Sequence, residues 1–292
     1  MRARPALILF LAPALGAIGV FFFIPVIAAF VLSFTDFDIY SLGNFAYARF
    51  VGLKNYAHLI SDPLFWKALK NTLYFLVLGG PLSIAVSLGA ALLIQSKVVR
   101  WKGLFRTAYF APVVTTLVAV AVVWRFVYHP RFGLLNYVLS LVGIGGVDWL
   151  GDSAWAMPAI ILMAVWKNFG YNMIIFIAGL QNIPTELYEA AAIDGAGTMA
   201  RFRSITLPML APTTIYISII TMIGYFQLFS EPYVMTQGGP LNSTLSIVLL
   251  MYQQGFRWWN MGYSAALAFV LFAFILAGSL LQSRLQKRWG SQ

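Results

Sequence analysis

The chain has 292 residues, of which 61% are hydrophobic and 10% charged, against about 25% charged in an ordinary soluble domain. Too little polar surface remains to cover a water-soluble fold, and a membrane protein is expected. The net charge of +10, from 19 Lys and Arg against 9 acids, reads in so apolar a chain as orientation in a lipid bilayer rather than as affinity for nucleic acid.

Five runs without a formal charge are long enough, or nearly so, for the roughly 20 residues of a spanning helix: 5–35, 71–96, 107–124, 204–230 and 258–283. A sixth apolar stretch, 157–180, carries Lys167 near its middle. The expectation is therefore an all-α, polytopic fold with six transmembrane helices. The first run follows Arg2 and Arg4 but far exceeds the h-region of a secretory signal, about 7 to 15 residues, so it reads as a span. In the connection after it, Asp62-Pro63 precedes Leu64, Phe65, Ala68 and Leu69 on one helical face, a pattern that predicts an interfacial helix.

With the N-terminus inside, the inner segments hold Arg2, Arg4, Lys97, Arg100, Lys102, Arg106, Arg201, Arg203, Arg284, Lys287 and Arg288. The outer ones hold Arg49, Lys54, Lys67, Lys70, Arg131 and Arg257, and eleven against six predicts both termini in the cytoplasm. Glu231 falls among the outer acids on this reading, just beyond the fifth run.

Enzyme chemistry is missing. His58 and His129 lie far apart with no metal-ligand spacing, and neither a Gly-x-Ser-x-Gly elbow nor a phosphate-binding P-loop is present. With no cysteine, disulfides, thiol nucleophiles and Cys-ligated metals are excluded. The spans also lack the rows of charge found in proton relays and ion pores.

Span four offers Trp166, Lys167, Asn168, Tyr171 and Asn172 within two turns, and span five offers Thr221, Tyr225 and Gln227. Four-residue spacing puts Lys167 with Tyr171 and Thr221 with Tyr225. Aromatic faces beside amides and hydroxyls suit the C–H faces and hydroxyls of a sugar. The same residues also suit helix packing, with Lys167 snorkelling to the interface.

The most informative segment is Ile183-Pro-Thr-Glu-Leu-Tyr-Glu-Ala-Ala-Ala-Ile-Asp-Gly-Ala-Gly197, followed by Thr198-Met-Ala-Arg-Phe-Arg-Ser-Ile-Thr-Leu-Pro208. It reads as a helix begun at Pro184 or Thr185, a Gly195 break, and a second helix capped by Thr198. Alanines leave one face without bulk, Leu187, Tyr188 and Met199 offer apolar knobs for a groove, and Glu189 offers a charge. On the physics alone, an ordinary cytoplasmic hairpin whose alanines merely favour helix is the simpler reading.

These residues resemble the loop of binding-protein-dependent ABC importer permeases: Glu189-Ala190-Ala191, three residues, Gly195, nine residues, then Ile205-x-Leu207-Pro208. Val51-Gly-Leu-Lys-Asn-Tyr56, and Thr236-Gln-Gly-Gly-Pro240 before Asn242-Ser-Thr244, are similar to the carbohydrate-uptake branch of maltose, multiple-sugar and glycerol-3-phosphate permeases. The resemblance implies one transmembrane permease domain over 1–292, with a type I importer core at about 71–284, in a bacterial-type inner membrane. It also implies a second, different permease, an ATP-binding subunit dimer that holds ATP and Mg, and an extracytoplasmic solute-binding protein. This chain would then carry no cofactor and would be no enzyme. Coupling through 185–200 falls on Glu189, Ala190, Ala191 and Gly195, with Leu187, Tyr188, Ala192, Asp194 and Met199 beside them.

Positions 167, 168, 171, 221 and 225 resemble substrate-contacting positions of the maltose type, with differences in residue type that leave the sugar open. Gly238-Gly239-Pro240 reads as a simple turn or as a contact for the binding protein. The rival function is a secondary transporter driven by an ion gradient, which calls for paired ionisable groups at midplane and related halves.

Overall fold

The computed structural model describes residues 3–44, 48–96 and 98–289. Arg2 and Lys97, counted above among the inner basic residues, lie outside them. The helices in chain order are α1 (Ala3–Ile18), α2 (Ile24–Leu32), α3 (Ile39–Gly43), α4 (Lys54–Ser61), α5 (Pro63–Gln95), α6 (Lys102–Val114), α7 (Leu117–Val127) and α8 (Leu134–Leu141). They continue with α9 (Ala156–Gln181), α10 (Thr185–Ile193), α11 (Thr198–Arg201), α12 (Leu207–Met209), α13 (Ala211–Phe226), α14 (Ser230–Met235), α15 (Ile247–Tyr252) and α16 (Met261–Trp289). Among the described residues there is no β-strand beyond an isolated bridge between Thr35 and Phe50.

Four continuous helical stretches are long and apolar enough to cross a bilayer: Phe10–Leu32, Pro63–Gln95, Ala156–Gln181 and Met261–Arg284. The remaining two of the six spans are broken. Span three bends by 100° between α6 and α7, and span five by 62° between Thr198–Met209 and Ala211–Phe226. At the first break Thr115 and Thr116 are both extended, with ψ of 147° and 137°. Two π-turns, Gly19–Phe23 and Phe202–Thr206, each run directly into a helix with proline in its first turn, Pro25 and Pro208. A proline ring clashes with the carbonyl four residues back, and the wider i→i+5 turn makes room for it.

The expected interfacial helix after Asp62 is instead the first part of α5. An Asp62 Oδ1 cap on the Leu64 amide, at 2.8 Å, starts a 33-residue helix, about 50 Å at 1.5 Å per residue and so longer than the hydrocarbon core. Phe65, Ala68 and Leu69 are buried rather than laid on lipid. The separate short helix of this connection is α4, one stretch earlier.

The chain divides into two compact units. The first comprises residues 1–66 with 250–273, and it accounts for the Val51–Tyr56 motif. Gly52 turns the chain at φ +57°. Asn55 then donates to the carbonyls of Ser33 and Thr35 at 2.9 and 2.8 Å, and the Tyr56 hydroxyl meets Ser33 at 2.8 Å, closing the end of span one. Partial desolvation pushes the Asp36 carboxyl up, but the Arg49 amide and guanidinium outweigh it and hold the group below its usual value. Tyr263 donates to Asp62 at 2.8 Å.

The second unit comprises residues 67–249 with 274–292. Its axis is α9, whose first half packs Ile160, Met163 and Ala164 with Phe75, Val120, Tyr128 and Tyr225. The second half packs Met173, Phe176 and Ile177 with Ala91, Ile94, Leu210 and Ile217. Gly170 lies where α6 crosses, so close that a Cβ there would collide with the Tyr109 carbonyl oxygen. The segment after α14 folds back: Asn71 donates to the carbonyls of Asn242 and Leu245 at 2.8 and 2.9 Å, and the Ile247 amide donates to Thr72 at 3.1 Å. Gly238 takes φ +91°, and Thr244, fully buried, donates to the Gly239 carbonyl at 2.8 Å. The Gly-Gly-Pro…Asn-Ser-Thr pattern is thus an inward-tucked turn, with Leu241 exposed at its tip.

Candidate functional site

Halfway along α9, between its two apolar clusters, the second unit opens a cavity of about 450 Å³, within the roughly 300 to 1,000 Å³ of small-molecule sites. Asn168, Tyr171 and Asn172 come from α9, Thr221 and Tyr225 from α13, Phe75 from α5, and Val113 and Leu117 from the two sides of the span-three break. Gln227 to Glu231 close it at the turn into α14. Asn172 donates to Thr221 Oγ1 at 3.3 Å, tying the two polar rows together. The rings of Phe75 and Tyr225 sit 4.7 Å apart, and the Tyr225 hydroxyl is buried beside Ser83. Amides, hydroxyls and aromatic faces therefore share one wall system inside an otherwise apolar bundle.

Four of the five substrate candidates, Asn168, Tyr171, Thr221 and Tyr225, line this cavity. Lys167 does not. Its side chain is buried, and its ammonium donates to the carbonyl of Val113 at 3.4 Å. The break at Thr115 leaves the last carbonyls of α6 without helical partners, and a cation there satisfies one of them and complements the helix dipole. The charge that looked anomalous in span four thus caps the broken end of span three.

Glu231, read from sequence as an outer-loop acid, stands on the cavity wall. It lies in the first turn of α14, which packs against α7 and α9. It is half-buried and is one of the lining residues. Burial pushes its carboxyl above the ordinary range, and a hydrogen bond from its own backbone amide and then the Lys167 ammonium draw it partly back. Ser230-Glu231-Pro232, an acid and a proline in one first turn, is the signal that marks a helix start there. Phe75 was missed as well, being one aromatic in a long apolar run.

The loop at 185–200 forms as a helix, a break and a helix. Pro184 is the N-cap of α10, and Gly195 follows its end at φ +76°. The amide of Gly195 donates to Ala192 at 3.1 Å and that of Ala196 to Ala191 at 2.8 Å, a Schellman closure. The second helix is capped by Gly197, with Thr198 as its first residue rather than its cap. Leu187, Glu189, Ala190, Ala192, Asp194, Gly195 and Met199 are exposed, whereas Ala191 is half-buried. Tyr188 turns the other way: its hydroxyl meets Thr206 Oγ1 at 2.9 Å and its ring packs on the apolar cluster around Ile183 and Leu210. It anchors the loop to the start of span five.

Spanning helices of the second unit around a polar cavity, with an exposed helical loop between two of them, define a membrane permease. The chain belongs to the family of binding-protein-dependent transport system inner membrane components, matched over residues 17–291. It is the membrane component of an ABC importer and hydrolyses no ATP itself; the ion-gradient reading has no support. It is 39% identical over 279 residues to the lactose transport system permease protein LacF of Rhizobium radiobacter, covering 94% of this chain and 91% of that one. It is 38% identical over 279 residues to the arabinooligosaccharides transport system permease protein AraP of Bacillus subtilis, covering 95% and 87%. The fold is similar to a chain in the crystal structure of a bacterial alginate ABC transporter in complex with an alginate pentasaccharide-bound periplasmic protein. That match has a TM-score of 0.82 at 22% identity and covers 98% and 96% of the two chains.

Proposed function

We propose that this chain carries a sugar or sugar-like solute inward through the cavity halfway along α9, using ATP hydrolysed by a partner. The observation that carries the reading is the cavity itself, where Asn168, Tyr171, Thr221 and Tyr225 combine hydrogen-bonding groups with aromatic faces at mid-helix depth. The names of its relatives, lactose and arabinooligosaccharide permeases, support the substrate class. Lys167 holds the broken end of α6 and acts on the solute only through that wall.

The working assembly has a second, different permease completing the route, an ATP-binding dimer that holds ATP and Mg, and an extracytoplasmic solute-binding protein. Both termini and the loop at 185–200 lie in the cytoplasm, following the eleven-to-six asymmetry of basic residues. The exposed face of α10 and the Gly195 turn dock on the ATPase, with Leu187 and Met199 as apolar contacts and Glu189 as the charged one. Closure of the ATPase dimer then shifts the population of membrane states through Tyr188 and span five.

The test is ATPase activity of the assembled complex in liposomes. Glu189→Lys should insert and assemble yet lose stimulation by sugar-loaded binding protein, because it reverses a docking charge. Full stimulation in that variant and in Gly195→Pro would reduce the loop to a connector.

A further inference from the structure

The cavity is polar but not balanced in charge. Asn168, Asn172, Thr221 and Gln227 offer both donors and acceptors, and Glu231 adds a carboxylate. None of the residues lining it is Lys, Arg or His. The cation that acts on Glu231 is Lys167, and its ammonium is turned onto the Val113 carbonyl. It lies behind the wall, where it lowers the cost of holding a carboxylate in the bundle without presenting a cation to a solute.

Resting on the function proposed above, we infer that this chain selects its solute by charge: the cavity accepts an uncharged or cationic polyhydroxylated molecule and rejects phosphate, sulfonate and uronate esters or acids, with Glu231 as the specificity-determining residue. A carboxylate accepts hydrogen bonds from two neighbouring hydroxyls, which suits a vicinal diol. An anionic solute meets in Glu231 a carboxyl whose ionised form is a like charge in a partly dry site, and the described residues that line the cavity offer it no lysine or arginine to pair with.

The test uses reagents instead of a guessed substrate. This chain has no cysteine, so single cysteines at Asn168 and at Gln227 are placed in the full complex, whose partner subunits are also freed of cysteine. Their modification rates by a cationic and an anionic methanethiosulfonate are compared, each corrected for its intrinsic reactivity. The cationic reagent should react about tenfold faster at both positions, a ratio worth about 1.4 kcal/mol. A cysteine at Leu141, on an exposed helix away from the cavity, should show a ratio near one. Glu231→Gln should bring the cavity ratio down to that value, and Glu231→Asp should keep it. If Glu231→Gln does not assemble, the wild-type contrast between the cavity positions and Leu141 decides. A cavity ratio near one, an anionic preference, or a cationic preference that survives Glu231→Gln would overturn the inference while leaving the cavity reading intact. Inertness to both reagents at both cavity positions would overturn the cavity reading and this inference with it.

Discussion

Gly170→Ala is the smallest change that should disable the site, because it acts where α6 crosses α9. A Cβ at Gly170 would collide with the Tyr109 carbonyl oxygen and stand 2.9 Å from its carbonyl carbon and 3.2 Å from Phe110 Cα. These are backbone atoms, so no side-chain rotation relieves them. Restoring ordinary carbon contacts of about 3.5 to 4.0 Å moves α6 away from α9 by about 1 Å. Overpacking of this kind costs about 1 to 3 kcal/mol, offset by about 1 kcal/mol from the better helix propensity of alanine. The displaced helix carries Val113, which both lines the cavity and receives Lys167. A change of about 1.4 kcal/mol in the balance between membrane states is tenfold in population, so uptake should fall by about that factor. The comparison is Gly89→Ala, on α5, where a Cβ meets nothing within 4 Å; it should be neutral or slightly stabilising. Thermal unfolding of the purified complex and sugar uptake in liposomes read the two effects. Gly170→Ala behaving like Gly89→Ala in both assays would refute the close-crossing argument.

Three further outcomes follow from particular contacts. Gly79→Ala should change the relative uptake of different sugars, since its Cβ would press on Tyr225 Cε2 at 2.9 Å and move a cavity ring, while Gly80→Ala, facing only Leu76 Cδ1 at 3.8 Å, should be silent. Asn136 donates to the Pro130 and Val147 carbonyls and accepts from the Val147 amide and Trp149 Nε1. Losing four bonds at about 1 kcal/mol each, partly replaced by water, Asn136→Ala should destabilise the segment 130–149 by about 2 to 4 kcal/mol and speed its cleavage in limited proteolysis. A double-mutant cycle on Tyr188→Phe and Thr206→Val should give about 1 kcal/mol of coupling in thermal unfolding; independence would place their 2.9 Å contact outside the stability of the loop.

Much of the fold is legible because lipid imposes a length and a polarity on every span. Continuous apolar runs, and tolerance of one lysine, were enough to locate all six. The breaks were not legible. The run 107–124 continues uncharged straight through Thr115 and Thr116, and hydropathy does not distinguish a bent path from a straight one. The 62° bend at Leu210 is hidden in the same way.

In the loop, the glycine and the alanines announced a helix and its end because backbone conformation is a local property. Tyr188 pointed inward for a reason no local pattern contains, the proximity of Thr206 eighteen residues later. Lys167 and Glu231 make the same point in the cavity. Four-residue spacing correctly grouped Thr221 with Tyr225, but Lys167 answers to a carbonyl freed by a break in another helix. Glu231 reaches the wall because the chain turns into α14 directly after span five.

The most direct measurement of the central claim is accumulation, by liposomes containing the full complex, of the radiolabelled sugar that the partner solute-binding protein binds most tightly in a panel, with that binding protein on one side and ATP on the other. Accumulation should require ATP, binding protein and this chain together, and should persist when ionophores abolish every ion gradient. Accumulation that collapses with the ion gradient and proceeds without ATP would contradict the account.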